Sequence, residues 1–171
     1  MPVKISPLVH IEIVVRDAEE AYRFLNRVFG AQKTQLQFAK SLDDARLPDG
    51  SAINRVLHVE LGGVVLQFIQ PILEGTLWSN FLKEKGPGVH NLTFTVDNIE
   101  EAAKALEKEG TPVLLTFPLD WARMAEFLPS GVTLRADNPP VYMVGGEEKV
   151  GFRFELAESP TGQALSQSAI G

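Results

Sequence analysis

The chain has 171 residues, of which 44% are hydrophobic and 22% charged, with a net charge of −6 and no cysteine. This is an ordinary globular composition for one domain or two small fused modules. It excludes disulfides, thiolate metal sites and cysteine nucleophiles. The absence of a Lys/Arg cluster argues against nucleic acid or an anionic membrane as a partner. No apolar run approaches the ~20 residues of a membrane span, and the first residues lack the core of a signal peptide. A cytoplasmic protein is expected.

Val9 to Val15 is the first predicted strand, rich in β-branched residues. Val9, Ile11, Ile13 and Val15 share one face; His10, Glu12 and Val14 share the other. Asp17 is placed as a helix N-cap, with Glu20 completing a capping box. Ala21, Phe24, Leu25, Val28 and Phe29 follow at helical spacing, and Gly30 suits the stop. A second strand is expected within residues 33–41, and residues 41–51 read as a loop. Arg55 to Leu61 and Val64 to Gln70 form a hairpin around Gly62-Gly63. That register sets His58 opposite Gln67 and Glu60 opposite Val65 on one face.

Leu77, Trp78, Phe81 and Leu82 predict a short amphipathic helix before Gly86-Pro87-Gly88. The strand from Val89 to Val96 puts Leu92, Phe94 and Val96 on an apolar face and Asn91, Thr93 and Thr95 on a polar one, with His90 at the opposite parity to Asn91. Asn98 and Glu101 form another capping box ahead of Ala102, Ala103 and Leu106, and Gly110 stops that helix. Residues 111–117 are a strand, and residues 118–140 read as an inserted helix and loop. Val141 to Val144 and Val150 to Leu156 are expected to form a hairpin around Gly145-Gly146. Residues 158–171 are a small, polar, loose tail.

The chain repeats itself. His10 and Asn91 stand 81 positions apart, and the same offset carries Asp17 to Asn98, Glu20 to Glu101, Ala21 to Ala102 and Leu25 to Leu106. Gln67 and Glu155, which end the two hairpins, are 88 apart. The fold expected is α+β, with two βαβββ modules packed as a curved mixed sheet around a central cavity and helices outside. The boundaries are 1–75 for the first module, 76–89 for the connector and 90–157 for the second module. Neither module alone makes a strong core. The polar faces collect His10, Glu12, His58, Glu60, Gln67, Asn91, Thr93, Arg153 and Glu155. A solvated outer face explains such residues one at a time. An enclosed face would need them paired or bound to a cation.

This layout resembles the vicinal oxygen chelate, or glyoxalase/bleomycin-resistance/dioxygenase, superfamily. Residues 77–102, from Leu77-Trp78-Ser79 through Val89-His90-Asn91-Leu92 to Glu101-Ala102, look like the central segment of methylmalonyl-CoA epimerases and their glyoxalase-I-like relatives. The resemblance implies one divalent ion (Zn, Co, Ni, Mn or Fe) on four side chains, here His10, Gln67, Asn91 and Glu155. Asn91 stands where the epimerase pattern has the second of two histidines, and an amide is a weaker ligand than imidazole for such metals. His90 from a bulged strand, or His58 in a His10/His58/Glu155 set, could replace it.

The resemblance also implies a carboxylate that moves the proton next to a carbonyl. Glu12, Glu60 and His58 are the candidates. Glu12 could instead pair with Arg153, which could equally hold a substrate carboxylate. Thr93 and Trp121 are further candidates for substrate binding, although Trp121, Met124 and Phe127 could simply pack the insert onto the sheet. The function expected is a metal-dependent isomerase or lyase on a small carboxylated or thioester substrate. The alternatives are a non-catalytic binder of the bleomycin-resistance type and an iron-dependent dioxygenase. A homodimer is common in this superfamily.

Overall fold

The computed structural model describes residues 2–34, 45–46, 51–117 and 140–158. It separates into two compact units, His10–His90 and Met1–Val9 with Asn91–Gly171. The first contains β1 (His10–Val14), α1 (Ala18–Phe29), β2 (Gln32–Lys33), β3 (Ala45–Arg46), β4 (Ala52–Leu61), β5 (Val64–Pro71) and α2 (Leu77–Lys85). Next come β6 (Gly88–Val96), α3 (Ile99–Lys108), β7 (Val113–Phe117), β8 (Val141–Val144), α4 (Glu147–Val150) and β9 (Arg153–Glu158).

Both units use one topology. In the first, the strand order is β2-β4-β5-β1, with β3 added on β4. In the second it is β6-β9-β8-β7. Each opening strand lies parallel to the last strand of its own unit, β1 on β5 and β6 on β9. The repeat is visible in detail at the helix starts. Asp17 accepts from the Glu20 N–H at 2.8 Å, and Asn98 accepts from the Glu101 N–H at 2.9 Å. A second acceptor reaches each helix from the last strand. The Ala18 N–H donates to Gln70 Oε1 at 3.2 Å, and the Ile99 N–H donates to Glu158 Oε2 at 3.0 Å. Four orphan N–H groups open every helix, so each such acceptor removes one unmet demand.

The Gly62-Gly63 hairpin forms in the expected register, with His58 opposite Gln67 and Glu60 opposite Val65. Both glycines have positive φ, 60° and 82°, as a two-residue turn requires. The other hairpin differs. Gly145-Gly146 is followed by the single-turn helix α4, not by a direct return, and the paired residues are Tyr142 with Leu156 and Val144 with Phe154. Two acidic residues, Glu147 and Glu148, favour a helical first turn there. The expected strand at 33–41 is confined among the described residues to Gln32–Lys33, and the loop expected at 41–51 contains β3.

Strand alternation sorts the first unit's core into two layers. Val15, Ala18, Leu57, Val59 and Phe68 pack with Ala21, Tyr22 and Leu25 on the α1 side. Val14, Val56 and Ile69 pack with Trp78, Phe81 and Leu82 of α2 on the other side. The predicted inward stripe of α1 is therefore partly displaced. Ala18, Ala21, Tyr22 and Leu25 face the sheet, whereas Phe24, Val28 and Phe29 are exposed. The second unit buries Val96, Ile99, Ala102, Val144 and Leu156.

Candidate functional site

The face of β1 read from sequence as polar is enclosed. His10, Glu12, His58 and His90 are each no more than 4% exposed. Register explains their neighbourhood. Glu12 lies beside Gln67 in the parallel β1–β5 pair, and Gln67 lies opposite His58 in the antiparallel β4–β5 pair. One row of the sheet thus reads Glu12, Gln67, His58. The adjacent row is apolar, with Val14, Ile69 and Val56, and α2 closes over it. Helix α2 covers this face because that row offers it a hydrophobic seat.

Gln67 joins the two histidines. Its Nε2–H donates to His58 Nε2 at 2.8 Å, which places the His58 proton on Nδ1. Gln67 also hydrogen-bonds to His10, whose ring meets that of His58 edge-on with centroids 6.4 Å apart. Burial pulls the His10 pKa down to about 3; the proximity of His58 adds to this and the bond to Gln67 opposes it. His10 is therefore neutral at neutral pH.

Glu12 anchors a second cluster. The His90 ring N–H (Nδ1) donates to Glu12 Oε1 at 2.6 Å, and the Trp78 indole N–H donates to the same oxygen at 2.8 Å. Phe81 meets the His90 ring edge-on at 5.1 Å, and Trp78 lies tilted to it at 6.2 Å. His90, at the opposite parity to Asn91, is a buried partner of Glu12. Trp78, read from sequence only as part of an amphipathic face, is the other partner. A signal for Trp78 was present: a buried indole N–H needs an acceptor, and Glu12 is the carboxylate that β1 buries.

Glu60 sits at the turn end of the hairpin and accepts from the Gly63 N–H at 2.7 Å. In the second unit, Asn91 lies beside Arg153 and Thr93 beside Glu155. Thr93 and Asn91 are buried, and the Thr93 hydroxyl donates to Asn91 Oδ1 at 3.2 Å. Arg153 donates to Glu147. Burial pushes the Glu147 carboxyl up, but hydrogen bonds from its own backbone, Arg153 and the Gly146 N–H, with the charge of Arg153, hold it below the usual carboxylate range. Of the four residues expected as metal ligands, His10 and Gln67 belong to the first unit and Asn91 and Glu155 to the second. Trp121 lies outside the described residues. A shallow groove of about 310 Å³ between α3 and β7–β8, lined by Glu100, Lys104, Glu107 and Tyr142 among others, is separate from these clusters.

The chain is 28% identical over 132 residues to mouse mitochondrial methylmalonyl-CoA epimerase, covering 68% of this chain and 68% of that protein. Among solved structures, methylmalonyl-CoA epimerase from Mycobacterium tuberculosis matches with a TM-score of 0.56 at 18% identity, covering 88% of this chain and 86% of the other. A Streptomyces coelicolor methylmalonyl-CoA epimerase variant in complex with 2-nitronate-propionyl-CoA matches with a TM-score of 0.59 at 16% identity, covering 91% and 99%. At these identities the structural matches establish a shared fold. The family model described as Glyoxalase/Bleomycin resistance protein/Dioxygenase superfamily matches residues 9–121, more than half of the sequence, and the chain belongs to that family.

Proposed function

We propose that this protein is a divalent-metal-dependent isomerase of the epimerase type, removing and returning a proton next to the carbonyl of a small carboxylated or thioester substrate. The observation that carries this reading is the enclosed row Glu12, Gln67, His58 with His10 beside it. Buried ionisable groups are costly unless they are paired or serve a ligand.

The donors fit a cation. His10 is held neutral by burial and would bind a metal without first losing a proton. Imidazole nitrogen suits Zn, Ni or Fe, and an amide oxygen is the weaker donor for these and better matched to Mn. His10 and Gln67 would hold the ion from the first unit, with His58 beside them. Asn91 and Glu155 keep the ligand roles that the resemblance assigns. When bound, the ion would polarise the carbonyl adjacent to the acidic C–H.

Glu12 is the carboxylate we assign to the proton. Two N–H donors converge on Oε1, fixing the side chain and leaving Oε2 clear of both. His58 already accepts from Gln67, and Glu60 is engaged with the turn. Arg153, whose guanidinium matches a carboxylate in shape and charge, is assigned the substrate carboxylate, with Thr93 as a further contact.

The test is reconstitution with each of the five metals, followed by NMR of α-proton exchange on methylmalonyl-CoA in D₂O. We expect one bound ion per chain, lost in His10→Ala, and exchange that disappears in Glu12→Gln while the metal stays. A chain that binds no divalent ion after reconstitution sinks the reading. Asn91, an amide in a histidine slot, favours a second reading, a metal-free small-molecule binder of the bleomycin-resistance type. Ligand affinity unchanged by His10→Ala would support it.

A further inference from the structure

The duplication also alters the side of each sheet that its long helix covers. Strand pairing sets the correspondence. One row of the first sheet reads Ile11, Leu66, Val59, Lys33; the matching row of the second reads Leu92, Phe154, Val144, Val113. Lys33 of β2 is therefore answered by Val113 of β7. The 81-residue offset carries Glu19, Tyr22 and Asn26 of α1 to Glu100, Ala103 and Glu107 of α3. In the first unit these residues interlock. Tyr22 packs against the core, and the Lys33 ammonium lies 4.8 Å from the centroid of its ring. The same ammonium reaches both carboxylate oxygens of Glu19 at 3.0 Å. A ring, a cation over the ring and a carboxylate on the cation thus fill this place. The second unit keeps the carboxylate and lacks the other two, with Ala103 for the ring and Val113 for the cation. The groove of about 310 Å³ lies there, lined by Glu100, Ala103, Lys104, Glu107, Val113 and Tyr142 among others.

We propose that this groove binds a small aromatic amine, a primary ammonium on a short chain from a single ring. The first unit supplies the template from its own side chains. The ligand's ring takes the place of the Tyr22 ring, over buried Ala103 and against Tyr142, and its ammonium takes the place of the Lys33 ammonium, on Glu100. The charge of the groove favours a cation. Relative to the first unit, it exchanges cationic Lys33 for neutral Val113 and neutral Asn26 for anionic Glu107. Lys104 is a weak competitor for Glu100, since their 3.8 Å contact is an exposed pair one helical turn apart. Glu107 also disfavours a ligand that carries its own carboxylate. The volume lies at the small end of the ~300–1,000 Å³ of ligand pockets, which suits one ring with a short chain. Tyr142 and Val144 face α3, whereas Met143 between them is paired with Glu155 on the other side of the sheet. Occupation of the groove is therefore independent of the metal site proposed above.

Titration of the nitrogen-15-labelled full chain with 2-phenylethylamine, followed by proton–nitrogen NMR, tests this. We expect saturable shifts centred on α3, β7 and β8, with a Kd of about 0.1–1 mM. Glu100→Gln, a change at an exposed position, should weaken binding at least several-fold. Ala103→Tyr, which copies the first unit, should abolish it. Ala103 is buried, so the ligand series gives a second readout that needs no variant. 2-Phenylethanol keeps the ring without the charge, n-butylamine keeps the charge without the ring, and phenylalanine adds a carboxylate. Each should bind at least several-fold more weakly than 2-phenylethylamine. The absence of saturable shifts, equal affinity for 2-phenylethanol and the amine, or binding indifferent to Glu100→Gln overturns the assignment.

Discussion

The two modules share a scaffold and divide the chemistry unequally. On β1 the enclosed positions are His10, Glu12 and Val14; their counterparts on β6 are Asn91, Thr93 and Thr95. N-caps and strand order are the same in both. The first copy thus buries groups that gain or lose a proton, and the second buries neutral hydrogen-bonding groups at the same places. Duplication preserves what any βαβββ module needs in order to fold and leaves the enclosed face free to diverge, because the N-caps and the packing of α1 and α3 involve the opposite face of each sheet.

Acid should break the comparison most strongly. The folded pKa of His10 is about 3 against 6.5 for the free side chain. The unfolded chain therefore binds an extra proton between those values. The stability linked to His10 is fully present above pH 6.5 and is lost as pH falls toward 3. The full loss amounts to about 5 kcal/mol. His10→Asn, which copies the second module, should flatten this acid limb, as read from urea midpoints between pH 7 and pH 4. An unaltered slope would show that the acid sensitivity lies elsewhere.

Removing a buried acceptor comes next. Glu12→Ala leaves the His90 and Trp78 N–H groups without their carboxylate and should cost about 3–5 kcal/mol. Thr93→Ala at the corresponding position removes one hydroxyl bond to Asn91 and should cost about 1 kcal/mol. Equal losses in denaturant melts would mean that the two faces are equally demanding. The smallest effect tests the shared scaffold. Asp17→Ala and Asn98→Ala each delete an equivalent N-cap and should each cost about 1 kcal/mol. A difference of several-fold between them would show that the caps of the two modules are not interchangeable.

Local chemistry made much of this legible in advance. Capping residues, Gly62-Gly63 and the 81-residue offset located helices, hairpin and repeat, because caps and turns act over three or four neighbouring residues. Period-two alternation brought His58 and Gln67 together before any coordinates, since register follows from the turn. Alternation does not say which face of a strand is enclosed or what covers it. That depends on α2, whose Trp78 sits 66 positions from Glu12 and donates to it all the same. The partner of His90 was out of view for the same reason. Parity within β6 described its neighbours along the strand, whereas its partner, Glu12, stands 78 positions away. The outward turn of Phe24, Val28 and Phe29 was likewise invisible to helical spacing, because a stripe wide enough to hold Ala18, Tyr22 and Leu25 as well exceeds what one sheet can cover. Strands, caps and the repeat follow from neighbouring residues; the burial of Glu12 and His90, and the exposure of Phe24, follow from contacts between segments that are distant in the chain.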